Sequence, residues 1–392
     1  MPLWVGMHPK TPLAKPRPNS CGEKHLNTTP LKNRDCLSRP MEGNVIRRDL
    51  HDWYRKNLRR LPWRETRDPY GIWLSEVMLQ QTQVKTAIPY YNRFVAAYPD
   101  VARLARAAPQ AVLKLWEGLG YYRRAHHLME AARIIVREWD GQVPDRREAF
   151  RSLPGIGDYI ANAVLSIAFN QPWAVVDGNV KRVLARLFGI DEPVNRPGSH
   201  ACYQAVADRL LDHADPARHN QAVMELGALV CTPRRPSCPT CPLTNLCKAW
   251  REGVVDRYPL RDRKAAVPEH ALVAGIVLKR GKLLLLRRPD EGFLGGLWEF
   301  PGGRRRTRET AGQACQRTIR DHTGLSVKVG EPVTRVRHAY THFKITMEVM
   351  ACRWQAGRVQ LNGSAAFRWV TPSQLQDFPL PGAVKKVLPY LG

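Results

Sequence analysis

Cys231, Cys238, Cys241 and Cys247 are separated by six, two and five residues within 17 positions. Nothing else in the chain constrains its fold as tightly, because four thiolates this close converge readily on one metal centre. Pro233, Pro236, Pro239 and Pro242 stiffen the backbone between them. Two centres suit such a set. One is zinc, although zinc ribbons and knuckles pair two close doublets across a longer gap and only one doublet here is close. The other is an iron–sulfur cluster. The remaining five of nine cysteines, Cys21, Cys36, Cys202, Cys315 and Cys352, show no pairing pattern. A reducing compartment and a metal site therefore suit the chain better than a disulfide frame.

With 392 residues there is room for two domains and linkers. The net charge of +26 divides into +6 over residues 1–48, +9 over 49–265 and +11 over 266–392. Each part is basic in its own right, so a polyanion is the expected partner. No apolar run is long enough to span a bilayer and no signal-peptide pattern is present, so no membrane role is expected.

Residues 1–44 are rich in Pro, Lys, Arg, Asn and Thr without a sustained period, and are expected to form a disordered basic tail. Residues 45–230 read as helical throughout, with turns such as Tyr98-Pro99-Asp100 and Gly189-Ile190-Asp191. The cysteine loop follows at 231–249, and 250–267 reads as a linker. The pattern then changes. Ala271–Leu278 and Lys282–Leu286 are short apolar runs split by Arg280-Gly281, a hairpin signal. Further strands are expected at Val327, Val333–Val336, Phe343–Cys352 and Phe367–Val370, with one helix at Thr310–His322. Residues 268–392 are thus an α+β domain after an all-α one.

Three motifs carry chemistry. Leu153-Pro154-Gly155-Ile156-Gly157 lies between two helical patterns, where Gly155 and Gly157 allow a tight turn that presents backbone amides to a phosphate. This pattern matches a helix-hairpin-helix, a sequence-independent clamp on DNA backbone. Twenty residues on comes Val176-Asp177-Gly178-Asn179-Val180. Glu76 lies in Ile72–Thr82, a helix so apolar around its carboxylate that partial burial is expected. Burial raises a carboxyl pKa and keeps it protonated near neutrality, as a general acid requires.

Hairpin, aspartate and cysteine loop in this order resemble the endonuclease III superfamily of helix-hairpin-helix DNA glycosylases, whose loop carries a 4Fe–4S cluster. Leu61-Pro62-Trp63-Arg64, Tyr70 and Trp73–Val84 resemble one branch of it, the adenine DNA glycosylases that act on adenine opposite 8-oxoguanine. The resemblance implies that Glu76 protonates adenine at N7, Asp177 stabilises the sugar cation and Asn179 orients the site. It implies that Trp63 and Arg64 line the base pocket, that Glu225 faces the adenine edge, and that Gln81 and Tyr121 wedge into the duplex. Of Tyr121 and Tyr122, one is expected to be aromatic core. It also places Tyr159 where strand-cutting members carry a lysine, and residues 115–180 contain no lysine. Tyrosine forms no Schiff base, so a base is expected to be removed without an efficient strand-cutting step. Arg234, Arg235 and Lys248 are expected to meet phosphates.

Gly295–Gly303 resembles the opening of a Nudix fold. A Nudix hydrolase needs a helix with several glutamates for magnesium. Counting back from Gly324 gives Arg317, Thr318, Asp321 and His322, with one carboxylate among them. A Nudix-like domain that reads 8-oxoguanine without hydrolysing a nucleotide is implied, with Tyr340-Thr341-His342 at the place of the recognition loop. The whole reading is a monofunctional, monomeric glycosylase of base-excision repair. Its partner is double-stranded DNA with adenine:8-oxoguanine or adenine:guanine mispairs. Its compartment is the cytoplasm, at the nucleoid, in a bacterium, and the nucleus or mitochondrion in a eukaryote.

Overall fold

A computed structural model describes residues 40–263 and 266–391. The expected tail lies outside the described residues up to position 39, but its last stretch does not, because the first helix already begins at Pro40. The helices are α1 (Pro40–Asn57), α2 (Pro69–Leu79), α3 (Val84–Ala97), α4 (Val101–Ala105), α5 (Pro109–Trp116), α6 (Arg123–Trp139), α7 (Arg147–Arg151), α8 (Asp158–Phe169), α9 (Gly178–Phe188), α10 (Ser199–Leu210), α11 (Pro216–Leu229) and α12 (Lys248–Arg251). The C-terminal part has strands β1 (Glu269–Lys279), β2 (Lys282–Arg287), β3 (Trp298–Glu299) and β4 (Gly302–Arg304), helix α13 (Ala311–Thr323), strands β5 (Ser326–Ala339), β6 (Lys344–Ala356) and β7 (Ala366–Val370), and helix α14 (Gly382–Lys385).

The chain divides into two compact units. One comprises residues 131–263 with the described residues up to 102; the other joins Arg103–Glu130 to the residues from 266 onward. The all-α segment expected at 45–230 is therefore interrupted: a stretch from its middle packs with the sheet. Gln110 on α5 donates from Nε2 to the Gly296 carbonyl at 3.0 Å and accepts from Trp298 Nε1 at 2.7 Å. Lys114 Nζ donates to the Phe378 carbonyl, and Glu117 Oε1 accepts from the Leu380 amide.

In the helical unit, α2 is buried on all sides from Tyr70 to Met78, as its nearly uninterrupted apolar sequence requires. Asp68 caps it through the amides of Tyr70 and Gly71, with Pro69 at the first position. The Trp73 ring meets Phe150 edge to face at 6.0 Å. The stretch expected to be a linker is half structured. Arg186 Nε donates to the Tyr258 carbonyl at 3.0 Å and the Val194 amide to the Leu260 carbonyl at 3.0 Å, which ties residues 255–260 to α9 and the turn after it.

The sheet runs β3-β2-β1-β6-β5, with β4 beside β1 and β7 beside β2. Among the described residues, only β1 and β6 pair in parallel. Alternate residues of β1 serve opposite faces: Val273 and Val277 pack against α13, while Leu272, Ala274 and Ile276 pack with Phe300, Ile345 and Val384. The β1–β2 turn is Arg280-Gly281, both left-handed at φ 50° and 74°, which suits the twist of a hairpin. Val327 and Val333–Val336 belong to one strand, β5, whose pairing slips around Pro332; a bulge makes one strand read as two.

Candidate active site and cysteine centre

The helical unit holds a cavity of about 500 Å³ whose walls include Trp63, Arg64, Glu76, Tyr159, Asp177, Asn179, Met224 and Glu225. These come from five stretches of chain, and seven of the eight were marked in the sequence as site residues. The volume suits a small ligand or a single base.

Glu76, 5 % exposed, projects from α2. Burial pushes its carboxyl pKa up to about 7; a hydrogen bond from Tyr159 acts against this, and the charge of Asp177 adds to it. The Tyr159 hydroxyl donates to Glu76 Oε2 at 2.6 Å. Asp177 is the N-cap of α9. Its Oδ1 accepts from the Val180 amide at 2.7 Å and its Oδ2 from Asn179 Nδ2 at 3.1 Å. Burial raises this carboxyl too, and the hydrogen bonds from Val180 and Asn179 oppose the shift without cancelling it. The hydrogen bonds to Asp177 favour its ionised form, whereas Glu76 has one such bond and is buried.

Asn179 is held in turn by Arg182, whose Nη2 donates to Asn179 Oδ1 at 2.8 Å and to the Gly227 carbonyl at 2.6 Å; its Nε donates to the Cys231 carbonyl at 2.6 Å. Gly227 allows this close approach, since a Cβ there would stand 2.7 Å from the Asn179 Cβ.

Glu225 lines the cavity but offers no free edge. Its Oε1 accepts from the Arg59 amide at 3.0 Å and Arg59 Nε at 2.8 Å; its Oε2 accepts from Arg59 Nη2 at 2.7 Å and Arg64 Nη2 at 2.8 Å. Burial pushes its carboxyl up, but the two guanidiniums more than reverse this, to about 2. Arg59 was not marked in the sequence, where it lies in an irregular basic stretch with no pattern.

Lys181, one residue beyond the lysine-free stretch, was also missed. It lines a neighbouring cavity with Tyr159, Asp177 and Gln81. Its Nζ donates to the Val194 carbonyl at 3.3 Å and lies over the Tyr203 ring. Gln81 is exposed at φ 57°, past the end of α2 at Leu79, so the helix expected over Ile72–Thr82 stops short of it.

Gly155 (φ 77°) and Gly157 are exposed in the turn between α7 and α8. Arg147 and Arg151 brace this hairpin, each 2.6 Å from Asp158.

Cys231, Cys238, Cys241 and Cys247 line one small cavity with Arg186, Val230, Pro236, Thr244, Trp250 and Val255. Arg186 Nη1 donates to Cys231 Sγ at 3.4 Å, and backbone amides of Leu243, Ala249 and Trp250 reach Cys241 and Cys247. Burial raises the thiols of Cys238, Cys241 and Cys247, Cys241 to about 11, so thiolates here call for a cationic centre. No three His, Cys, Asp or Glu side chains among the described residues gather around a single ion. Arg234, Arg235 and Lys248 are exposed on and beside this loop.

In the sheet-bearing unit, Tyr340-Thr341-His342 forms the turn from β5 to β6. Thr341 and His342 are exposed. The Tyr340 ring instead packs on Phe293, His338 and Phe343, with centroids 5.0, 4.6 and 5.0 Å away. The Tyr121 hydroxyl meets that of Thr341. Tyr121 is exposed while Tyr122 is core. On α13, Arg317 is clamped by Glu309 at 2.6 and 2.8 Å, Thr318 bonds back to Ala314, and burial pushes His322 down to about 4. Asp321 is the one carboxylate of the four positions.

Residues 74–200 match the HhH-GPD superfamily base excision DNA repair protein family, and residues 273–390 match the NUDIX domain family. The chain is 34 % identical to the adenine DNA glycosylase of Rattus norvegicus over 93 % of its own length and 81 % of that protein's. It is 36 % identical to that of Mus musculus (88 % and 77 %) and 34 % identical to that of Homo sapiens (88 % and 74 %). A solved thermostable thymine-DNA glycosylase is 30 % identical, with a TM-score of 0.51, over 54 % of this chain and 98 % of that one.

Proposed function

The chain belongs to the adenine DNA glycosylase family, a family of DNA N-glycosylases, and from that premise we propose that it hydrolyses the glycosidic bond of adenine mispaired with 8-oxoguanine or guanine in duplex DNA. The observation that carries the chemistry is the Glu76–Tyr159–Asp177 arrangement in one cavity. A flipped adenine enters that cavity. Glu76, with its pKa raised to about 7, gives its proton to N7, which turns a poor leaving group into a good one. Positive charge develops on the sugar, and Asp177 stabilises it electrostatically, held in place by Val180 and Asn179. Water then completes hydrolysis. Tyr159 supplies no amine, and the Lys181 ammonium is engaged by a carbonyl, so strand cutting is not part of the reaction.

The exposed Thr341 and His342 read the oxidised base, and exposed Tyr121 stacks into the duplex beside it. The four cysteines fit a 4Fe–4S cluster: thiol donors ring one cavity, and an arginine and amides are aimed at sulfurs. Such a cluster locks the loop that presents Arg234, Arg235 and Lys248 to phosphates. Anaerobically prepared protein should carry about four irons per chain; zinc without iron would overturn this part.

The test of function is single-turnover base removal from adenine opposite 8-oxoguanine, guanine and thymine, with and without alkaline cleavage of the product. Base loss in the first two, with strand breaks only after alkali, is expected. No adenine release, or strand breaks without alkali, would contradict it.

A further inference from the structure

The loop carrying Tyr121 is held in an unusual way. Three of four successive residues have positive φ: Gly118 at 97°, Gly120 at 77° and Tyr121 at 49°. The last is a bulky side chain in the left-handed region, a conformation that costs about 1 kcal/mol or more and persists only where the surroundings enforce it. One side chain accounts for much of that enforcement. Arg124 Nη2 donates to the Gly120 carbonyl at 3.0 Å and to the Leu119 carbonyl at 3.4 Å, and its Nε donates to the Tyr121 carbonyl at 3.4 Å. Its guanidinium also lies over two rings, 5.4 Å from the Trp116 centroid and 5.6 Å from that of Tyr121. Trp116 Nε1 donates to the same Gly120 carbonyl at 3.1 Å.

Thus the fork spans three successive carbonyls while its flat face supports the tyrosine ring. Lysine could not do this, since an ammonium is a point donor without a plane. The ring it supports is exposed, and its hydroxyl rests against Thr341 of the loop after β5.

We propose that Arg124 is the positioning residue for base extrusion: it fixes Tyr121 in a stacking-ready pose beside the Thr341–His342 loop before DNA arrives. This rests on the stacking role given to Tyr121 above. A ring already ordered loses less freedom on entering a base stack, so more of the new contact is left to offset the unstacking cost. An alternative use of an arginine on a DNA-facing loop is a phosphate contact. The two differ in salt response, because losing a phosphate contact lowers the slope of log affinity on log salt by about one.

The experiment compares single-turnover excision from a fully paired adenine:8-oxoguanine duplex with excision of the same adenine in an unpaired bubble, where extrusion is already done. Arg124→Met should slow the duplex reaction roughly ten- to a hundredfold while the bubble rate stays within about twofold. The salt slope of duplex binding should be unchanged. Tyr121→Ala should slow the duplex reaction more than the bubble reaction, and on duplex the double variant should be no slower than Tyr121→Ala alone. Arg124→Lys should show the split to a smaller degree, and it decides the matter if Arg124→Met does not fold. Equal losses on duplex and bubble, a salt slope lowered by about one, or a wild-type duplex rate in Arg124→Lys would each overturn the proposal. If Tyr121→Ala leaves the duplex rate unchanged, the stacking role falls and this proposal with it. If Tyr121→Ala is slow and Arg124→Met is not, the stacking role stands and only Arg124 is misassigned.

Discussion

Two walls of the candidate active-site cavity each bury a glutamate, and the two glutamates are opposite in kind. Glu76 is 5 % exposed and Glu225 is fully buried. Burial pushes both carboxyls up. On one wall the partners are a tyrosine hydroxyl and a second carboxylate, and the pKa settles at about 7. On the other, two arginines pull it to about 2. The same side chain at similar depth therefore holds its proton up to about neutrality in one place and is an anion in the other. Partners decide the role, not burial. The proposed chemistry falls to the first wall, and the second fixes Arg59 and Arg64 in the lining.

The comparison is most easily broken by removing each carboxylate. Glu76→Gln should lower single-turnover excision by roughly 10²–10⁴-fold, the usual worth of a general acid, while DNA binding persists. It should also stabilise the fold at alkaline pH. Because the folded pKa lies above the unfolded one, the folded state holds a proton that the unfolded state has released between about pH 4.5 and 7. Wild-type stability then falls as pH rises through that window, by at most about 3 kcal/mol. Glu76→Gln lacks that slope, which urea melts at pH 5 and 8 would show.

Glu225→Gln should do the reverse. It leaves two guanidiniums facing one amide and should cost about 2–4 kcal/mol, reduced from the full buried-pair penalty because Arg59 is 34 % exposed. Melts that move the same way in both variants would end the contrast. The smallest effect belongs to the reading loop. His342→Ala should lower the rate ratio for adenine opposite 8-oxoguanine over adenine opposite guanine about 3–10-fold, the worth of one hydrogen bond. The adenine:guanine rate should stay unchanged.

Deletion of residues 266–392 is a poorer probe of the same point. It would strip α5 of the partners of Gln110, Lys114 and Glu117.

Glu76 was legible because its own helix announces burial: Tyr70 to Met78 are almost all apolar. Asp177 was legible from its place before a helix and after a hairpin. The role of Glu225 was not, since Arg59 and Arg64 lie 166 and 161 positions away and no local pattern joins them. The packing of 103–130 against the sheet was hidden for a related reason. An amphipathic helix shows that it has an apolar face but not what covers it. The split between Tyr121 and Tyr122 needed backbone geometry, because adjacent tyrosines are alike in sequence and only a positive φ turns one outward. In the sheet, the Arg280-Gly281 hairpin was plain and the bulge at Pro332 was not.

The pH dependence of single-turnover excision, measured from pH 5 to 9 with enzyme in excess, tests the central assignment most directly. With Glu76 as the acid, the rate should be level below neutrality and fall about tenfold per pH unit above about 7. Tyr159→Phe removes the hydrogen bond that favours the Glu76 carboxylate and should move that limb to higher pH. A rate that stays level to pH 9, or a limb that ignores Tyr159→Phe, would contradict the account.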